Sequence, residues 1–480
     1  MFWRGVLGYL PVNIVQAIAG FGSIVVFTRI LSPTDYGAYA LAYSVYALVN
    51  TVLFTWIEAA MARFYAVETA RRADLFATLY KTFAFMALLL PIVAAALLVV
   101  LPISGALKLA VASGLGSAVV RSLLKLAQER RRAAGEVRGF AVYDIAQTGG
   151  GFLVGIAMAY GGFGGSAPLL GAGVASAACL IWALPAELQH MRGGRFDGIK
   201  LRVYMAYGVP IALSLLMSLA LATTDRFVLA GYMTEATVGA YHAGYNLSNR
   251  TLDVMFAWLG MAGGPACIMA LERGGPAALI KTAREQAGFM VLIALPAAVG
   301  LALTAAPLAD IMVGPALRAS AARVTPWIAI SALFSGLTTY YLHTAFTLSR
   351  KTRRLIVAMA IPAAANLALT LILIPRFGLD GAMWATTASY ALGMIASYTL
   401  GRSALPLPIP WTTLAQGGAA TAAMVVIVLR LPSSGGIWEL GLKAGVGAMV
   451  YGGVALALNA GGARSYGAQL LQGLKLKLVA

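Results

Sequence analysis

The chain has 480 residues, 60% of them hydrophobic and only 11% charged, with a mean hydropathy of +0.82 and a formal net charge of +18. Soluble globular chains carry about 25% charged residues, so this composition excludes an ordinary soluble enzyme or binding module. Charges cluster between apolar stretches of about 20 residues or more, enough to cross a bilayer as helix, and the chain reads as an all-α polytopic membrane protein.

Apolar runs predict fourteen membrane helices, at about 5–30, 36–61, 75–101, 106–128, 138–161, 166–189, 203–230, 237–263, 287–309, 325–348, 354–375, 378–401, 411–431 and 437–458. The first run has no cleavable signal pattern and is followed by many more, so it reads as a true span. Between spans 1 and 2 lies "TRILSPTDYGAYAL" (Thr28–Leu41), where Ser32 suits an N-cap, Pro33 the first helical position and Asp35 the first turn. Spans 3 to 6 are joined by short connections, among them the arginine-rich "QERRRAAGEVR" (Gln128–Arg138) and the nearly uncharged "GGFGGSAP" (Gly161–Pro168). Span 7 carries Pro210 as span 1 carries Pro11, and it leads into "AGYMTEATVGAYHAGYNL" (Ala230–Leu247), with Thr234 as a second candidate cap. The stretch "GGPAALIKT" (Gly274–Thr282) reads as a loop between spans 8 and 9, and "RKTRR" (Arg350–Arg354) separates spans 10 and 11. Nowhere is there room for a soluble domain.

Basic residues accumulate in alternate loops. One side holds Arg63, Arg71, Arg72, the Gln128–Arg138 cluster, Arg192, Arg195, Lys200, Arg202, Arg273, Lys281, Arg284, the Arg350–Arg354 cluster and the tail's Arg464, Lys475 and Lys477. The other side holds only Arg29, Lys108, Arg318, Arg323, Arg376 and Arg430. By the positive-inside rule the basic side, with both termini, is cytoplasmic. The net charge is thus a topology signal with a contact to anionic lipid at that face, not a nucleic-acid footprint. Cys179 and Cys267 fall inside apolar runs, and His190, His242 and His343 are scattered, so neither a disulfide framework nor a metal site is expected.

Two Gly-Ala-Tyr triplets, Gly37-Ala38-Tyr39 and Gly239-Ala240-Tyr241, stand 202 residues apart in matching loops after spans 1 and 7. Six spans separate them, and an even number of crossings returns the chain in the same orientation, so the duplication is parallel rather than inverted. Pro11 and Pro210 fall early in the equivalent spans, and Phe163-Gly164 before Gly171-Ala172 is echoed by Phe377-Gly378 before Gly381-Ala382.

At "TRILSPTDYGAYAL", "TTDRFVLAGYM" (Thr223–Met233) and "NLALTLILIPRFGLDGAMWATTASY" (Asn366–Tyr390) the chain resembles the polysaccharide-transporter branch of the multidrug/oligosaccharidyl-lipid/polysaccharide (MOP) exporter superfamily, which includes Wzx-type O-antigen flippases and relatives of the lipid II flippase. The resemblance covers about residues 1–402. It implies two parallel six-helix lobes of MATE-like architecture around a central cavity, residues 1–195 (helices 1–6) and 196–402 (helices 7–12). Residues 403–480 supply helices 13 and 14 and a cytoplasmic tail. It implies alternating access, a location in the bacterial inner membrane, and a substrate in which a polyprenyl pyrophosphate carries an oligosaccharide, O-antigen or another surface polysaccharide unit, moved from the cytoplasmic to the outer leaflet.

A charge at mid-bilayer costs about 2.5–3.5 kcal/mol on insertion scales, so such residues face a cavity or a partner. The candidates for holding an anionic headgroup are Arg121, Lys125, Arg250, Asp253, Arg29 and Arg226. Arginine suits pyrophosphate because its planar fork meets phosphate oxygens bidentately. Arg121 and Lys125 share a helix face with no acid on it and alternatively snorkel to the membrane edge. Arg250 and Asp253 are three apart, so the pair either serves the cavity or neutralises itself. Glu58, Asp144 and Asp225 are candidates for coupling Na+ or H+, or for countering the basic residues.

No nucleotide site is expected: in Gly274–Thr282 isoleucine, not glycine, precedes Lys281, so the phosphate-loop pattern fails. No cofactor is expected either. The first rival is a cation-coupled multidrug exporter of the same superfamily, for which a carboxylate-rich cavity would be the signature. The second is a membrane-embedded glycan polymerase or ligase, which calls for a large outer loop bearing catalytic residues.

Overall fold

The computed structural model describes residues 2–100, 104–462 and 464. Lys475 and Lys477 of the expected tail lie outside them. Among the described residues regular structure is helical throughout, in fourteen long helices. These are α1 (Phe2–Ile30), α2 (Pro33–Phe64), α3 (Arg72–Val100), α4 (Gly105–Ala133), α5 (Val137–Tyr160), α6 (Ala167–His190), α7 (Gly198–Tyr232), α8 (235–274), α9 (276–303), α10 (315–348), α11 (Thr352–Phe377), α12 (Leu379–Arg402), α13 (Trp411–Val428) and α14 (Gly436–Ala457). Their length and hydropathy make this a multi-pass membrane protein. The fourteen predicted spans correspond to them one for one. The chain divides into two compact units, Met1–His242 and Ala243–Ala480.

In the first unit local sequence sets the helix starts. The Ser32 hydroxyl oxygen accepts from the Asp35 amide at 3.1 Å, with Pro33 in the first turn, as the sequence predicts. Thr234 does the same for α8, accepting from the Thr237 amide at 3.3 Å. Ser104 caps α4 and Asp197 caps α7, each accepting backbone N–H groups that the helix leaves unpaired. Within α2 the regular pattern widens to a π-turn at Thr51–Thr55, a feature common at functional sites.

Small residues let these helices approach closely. A Cβ on Gly171 of α6 would run into the backbone of Gly155 on α5, and one on Gly151 would meet Cα of Ala172 at 3.0 Å. α5 and α6 form a tight hairpin through Gly164, whose φ of +49° demands glycine. The second unit builds its α11–α12 hairpin the same way, through Gly378 at φ +55° and Gly381 against the Leu373 carbonyl. The Phe-Gly echo therefore marks the same device built twice.

The second unit departs from expectation at Gly274–Thr282. This stretch is not a loop: α8 runs on to 274, the backbone leaves helical geometry at Gly275 alone (φ 69°, ψ −166°), and α9 begins with Pro276. Cys267 donates to the Gln286 side chain at 3.1 Å, so residues on either side of Gly275 face each other and the chain doubles back. Arg273, Lys281 and Arg284 thus lie on helices. A second π-turn, Thr338–Leu342, interrupts α10, and Gln286 donates to the Tyr340 carbonyl there at 3.3 Å. α14 is held to α9 by the Tyr451 hydroxyl donating to the Leu292 carbonyl at 2.6 Å.

Candidate functional site

The charged residues predicted inside spans sort into three groups. The first lies between α2 and α4. The Lys125 ammonium sits 2.8 Å from a carboxylate oxygen of Glu58, which α2 supplies just after its π-turn. One turn along the same face of α4, the Arg121 guanidinium lies over the ring of Tyr46 at 4.1 Å. Ser122 donates to Asn50, tying the two helices beside the pair. Glu58 is buried, whereas the Lys125 side chain is 49% exposed, so the ammonium has an open side. Arg121 Nε and Glu58 Oε1 lack hydrogen-bond partners among the described residues. Sequence spacing gave Arg121 and Lys125 no acid; the acid arrives from a different helix.

The second group is in the second unit. Arg250 is exposed on α8 and has no ion-pair partner among the described residues. The self-neutralised Arg250–Asp253 pair is not formed: the Asp253 carboxylate accepts from Asn249 at 2.6 Å instead. Side chains four apart on a helix compete with those three apart, and here the amide takes the acid. Arg121 stands sixteen residues into α4 and Arg250 fifteen into α8. At 1.5 Å per residue both lie about 22–24 Å from the N-terminal ends of their helices. Lys443, also within a span, is neutralised by Glu439 at 2.5 Å.

The third group surrounds the duplicated triplets, which meet each other. A Cβ on Gly37 would collide with the Glu235 carbonyl, and one on Gly239 would lie 2.7 Å from the Pro33 carbonyl oxygen and 2.9 Å from the Gly37 amide. The ends of α2 and α8 thus touch backbone to backbone. Around this contact the His242 ring packs on Tyr36 and Tyr39 at 5.6 and 6.0 Å, and Ser104 donates to Glu235 at 2.5 Å. Asp225 and Arg226 are buried here, and Asp225 accepts from the Tyr241 hydroxyl. Asp225 thereby links the end of α7 to the second triplet. Arg29 is exposed at the end of α1, donating to the Val25 carbonyl at 2.7 Å, and Asp144 of α5 accepts from Gln16 of α1 at 2.8 Å, away from the basic residues it was expected to counter.

Sequence reasoning missed a fourth cluster, at the basic end of the first unit. Glu187 is buried between Arg130 and Arg131, both at 2.9 Å, and accepts from Tyr80 at 2.9 Å. Arg130 also holds Glu136 at 2.9 Å, and Arg131 lies over Tyr143 at 4.6 Å. These hydrogen bonds from Arg130 keep the Glu136 carboxyl, in the α4–α5 connection, below the usual carboxylate range. The signal was available: Glu187 is an acid at the end of an apolar run, on the side where the triple arginine lies. A groove of about 440 Å³ between α4 and α6, lined by Ser113, Gly116, Ser117 and Gly173 among others, holds no charged side chain. Among the described residues no group of three or more His, Cys, Asp or Glu side chains is placed to hold a metal ion.

The family described as "Polysaccharide biosynthesis protein" matches residues 26–322. No curated protein matches the chain in sequence. Among solved structures, the lipid II flippase MurJ in an inward closed conformation superposes with a TM-score of 0.75 at 12% identity, covering 95% of this chain and 99% of its own. An inward-facing multidrug resistance MATE family transporter of the MOP superfamily gives 0.67 at 13% identity, covering 81% and 94%. The Vibrio cholerae MATE transporter VcmN, as its D35N mutant, gives 0.55 at 16% identity, covering 84% and 95%. At these identities the likeness is one of fold, and the fold is that of MOP-superfamily membrane transporters.

Proposed function

The chain belongs to the polysaccharide biosynthesis protein family, and we propose that within it the chain is a flippase for a polyprenyl-pyrophosphate-linked oligosaccharide, an O-antigen or other surface polysaccharide unit. In this reading it sits in the bacterial inner membrane with both termini in the cytoplasm, and residues 1–195 and 196–402 act as two lobes, with 403–480 appended. The lobes expose a shared cavity to one compartment and then the other, and substrate moves from the cytoplasmic to the outer leaflet. MurJ, whose fold this chain shares, is a lipid II flippase, and that supports a lipid-linked substrate here.

The observation that carries the reading is that α4 and α8 each hold an arginine about 22–24 Å from the helix's own N-terminal end. Among the described residues Arg250 is exposed with no ion-pair partner, and Arg121 has no ion pair and lies over the face of Tyr46. Cations left uncompensated inside membrane helices are costly unless an anion or water meets them, and a pyrophosphate headgroup meets that need. Arg29 and Arg226 belong to the charge-poor end and are assigned to the far side of the path. In this reading the contact of the duplicated triplets opens and closes that end during the cycle. Coupling to an inward-moving H+ or Na+ is assigned to Asp144, and one charge crossing 100 mV supplies about 2.3 kcal/mol, enough to bias the cycle without ATP.

The test is flipping of a polyprenyl-pyrophosphate sugar in vesicles containing purified protein. Arg121→Ala and Arg250→Ala should each lower the initial rate at least tenfold, with Arg121→Lys retaining part of it. Full transport by folded alanine variants, or preferential export of cationic dyes, refutes the reading.

A further inference from the structure

Resting on the headgroup site just proposed, we infer that Glu58 is an internal occupant of that site, displaced and protonated when the diphosphate binds. The geometry of the α2–α4 cluster makes this exchange available. Lys125 is paired to Glu58 on its buried side and open on the other, so an anion approaches the ammonium without first removing the acid. Glu58 is a poor long-term partner: one oxygen meets Lys125 and the other has no hydrogen bond among the described residues, in a membrane-embedded position. A buried carboxylate satisfied at one oxygen holds its place chiefly by charge, and a diphosphate brings more charge and more acceptors.

Glu58 has no second cation to move to among the described residues. From α4 it faces Lys125 and Glu129; Glu129 is itself paired with Arg132 at 3.0 Å, and Arg121, one turn from Lys125, is engaged with Tyr46. Its neighbours on α2, Ile57, Ala60 and Met61, belong to an apolar core with Phe76, Leu79 and Tyr80 of α3 and Tyr204 and Ala212 of α7. The hydroxyls of those two tyrosines are committed to Glu187 and Glu68. Once Lys125 turns to phosphate oxygens, an ionised Glu58 is left buried beside Glu129 and apolar side chains, and it takes a proton from water to become neutral. The balance is one diphosphate bound, one Lys–carboxylate pair broken and one proton taken up. Arg121 and Lys125 then present two cations to the headgroup, with no fixed anion between them.

Farnesyl diphosphate and the full chain in nanodiscs test this by calorimetric titration in two buffers of different ionisation enthalpy, which reports protons exchanged on binding. Wild type should take up about one proton more per diphosphate than Glu58→Gln, and Glu58→Gln should bind several-fold more tightly because the internal competitor is gone. Independently of that variant, wild-type affinity should fall as pH rises from about 6 to 8, against the trend that ionisation of the diphosphate sets. Equal proton uptake in the two proteins, weaker binding by a folded Glu58→Gln, or wild-type affinity rising with pH overturns the exchange and leaves the headgroup site standing. Absence of binding, or binding that Arg121→Ala and Lys125→Ala do not weaken, overturns the site and the exchange together.

Discussion

Replacing Gly37 by alanine puts a methyl group where the Glu235 carbonyl already lies, and the neighbour cannot turn aside because it is backbone. The same holds in mirror fashion for Gly239, whose Cβ would stand 2.7 Å from the Pro33 carbonyl oxygen. Relieving such an overlap requires the ends of α2 and α8 to separate, and overpacking of this kind costs about 1–3 kcal/mol. If that contact opens in each transport cycle, the penalty falls on the closed arrangement alone and shifts the opening equilibrium by about 5–150-fold. A cysteine at Ala40, fully buried on α2 three residues beyond the contact, reports the opening through labelling by an impermeant maleimide added from the outer side. The native Cys179 and Cys267 are buried and give a low background. Labelling of Ala40→Cys should accelerate about tenfold or more in Gly37→Ala and in Gly239→Ala. It should not change in Gly105→Ala, where an added Cβ meets nothing within 4 Å. A folded Gly37→Ala protein with a lower melting temperature and unchanged labelling would mean that the contact merely packs two helices and gates nothing.

Glu187→Ala leaves Arg130 and Arg131 facing each other without their shared acid, and breaking a buried pair from one side costs about 3–5 kcal/mol; thermal unfolding in detergent should show the loss, with Tyr80→Phe costing less, about 1.5–3 kcal/mol for a hydrogen bond to a charged group. Glu136, whose carboxyl is held below its ordinary range by Arg130, contributes stability that is present above the unfolded carboxylate range and disappears as pH falls through its lowered folded value. Melting temperatures measured from pH 7 downward should therefore fall less steeply in Glu136→Gln than in wild type, by a small margin because the side chain is 47% exposed. Ser32→Ala removes the cap on α2 and should cost about 1 kcal/mol in the same assay, with Ser32→Asn close to neutral.

Much of the architecture is legible in the chain because a bilayer leaves so few choices. With no water to satisfy backbone groups, each apolar run must close its own hydrogen bonds as helix, a local demand that hydropathy reports directly. Helix starts are local as well: Ser32 and Thr234 accept from amides three residues ahead, within reach of any reading of the sequence. The limits of that legibility show at Gly274–Thr282, where two glycines and a proline suggest a loop and the chain needs only Gly275 to break the helix.

Partnerships were decided elsewhere. Spacing placed Arg121 and Lys125 on one face and Arg250 beside Asp253, but spacing says nothing about what another helix brings to that face. Glu58 reaches Lys125 from 67 positions away, Asp144 finds Gln16 and Asp253 prefers Asn249, and each outcome depends on how the helices are rotated and how deep they sit. The duplication is written plainly in two Gly-Ala-Tyr triplets; that they lie against each other is not. Hydropathy is a property a run of residues carries alone, so the number and length of the helices came from the sequence. A contact belongs to two runs at once, and only packing, which sets the rotation and offset of each helix against its neighbours, settled which charge meets which.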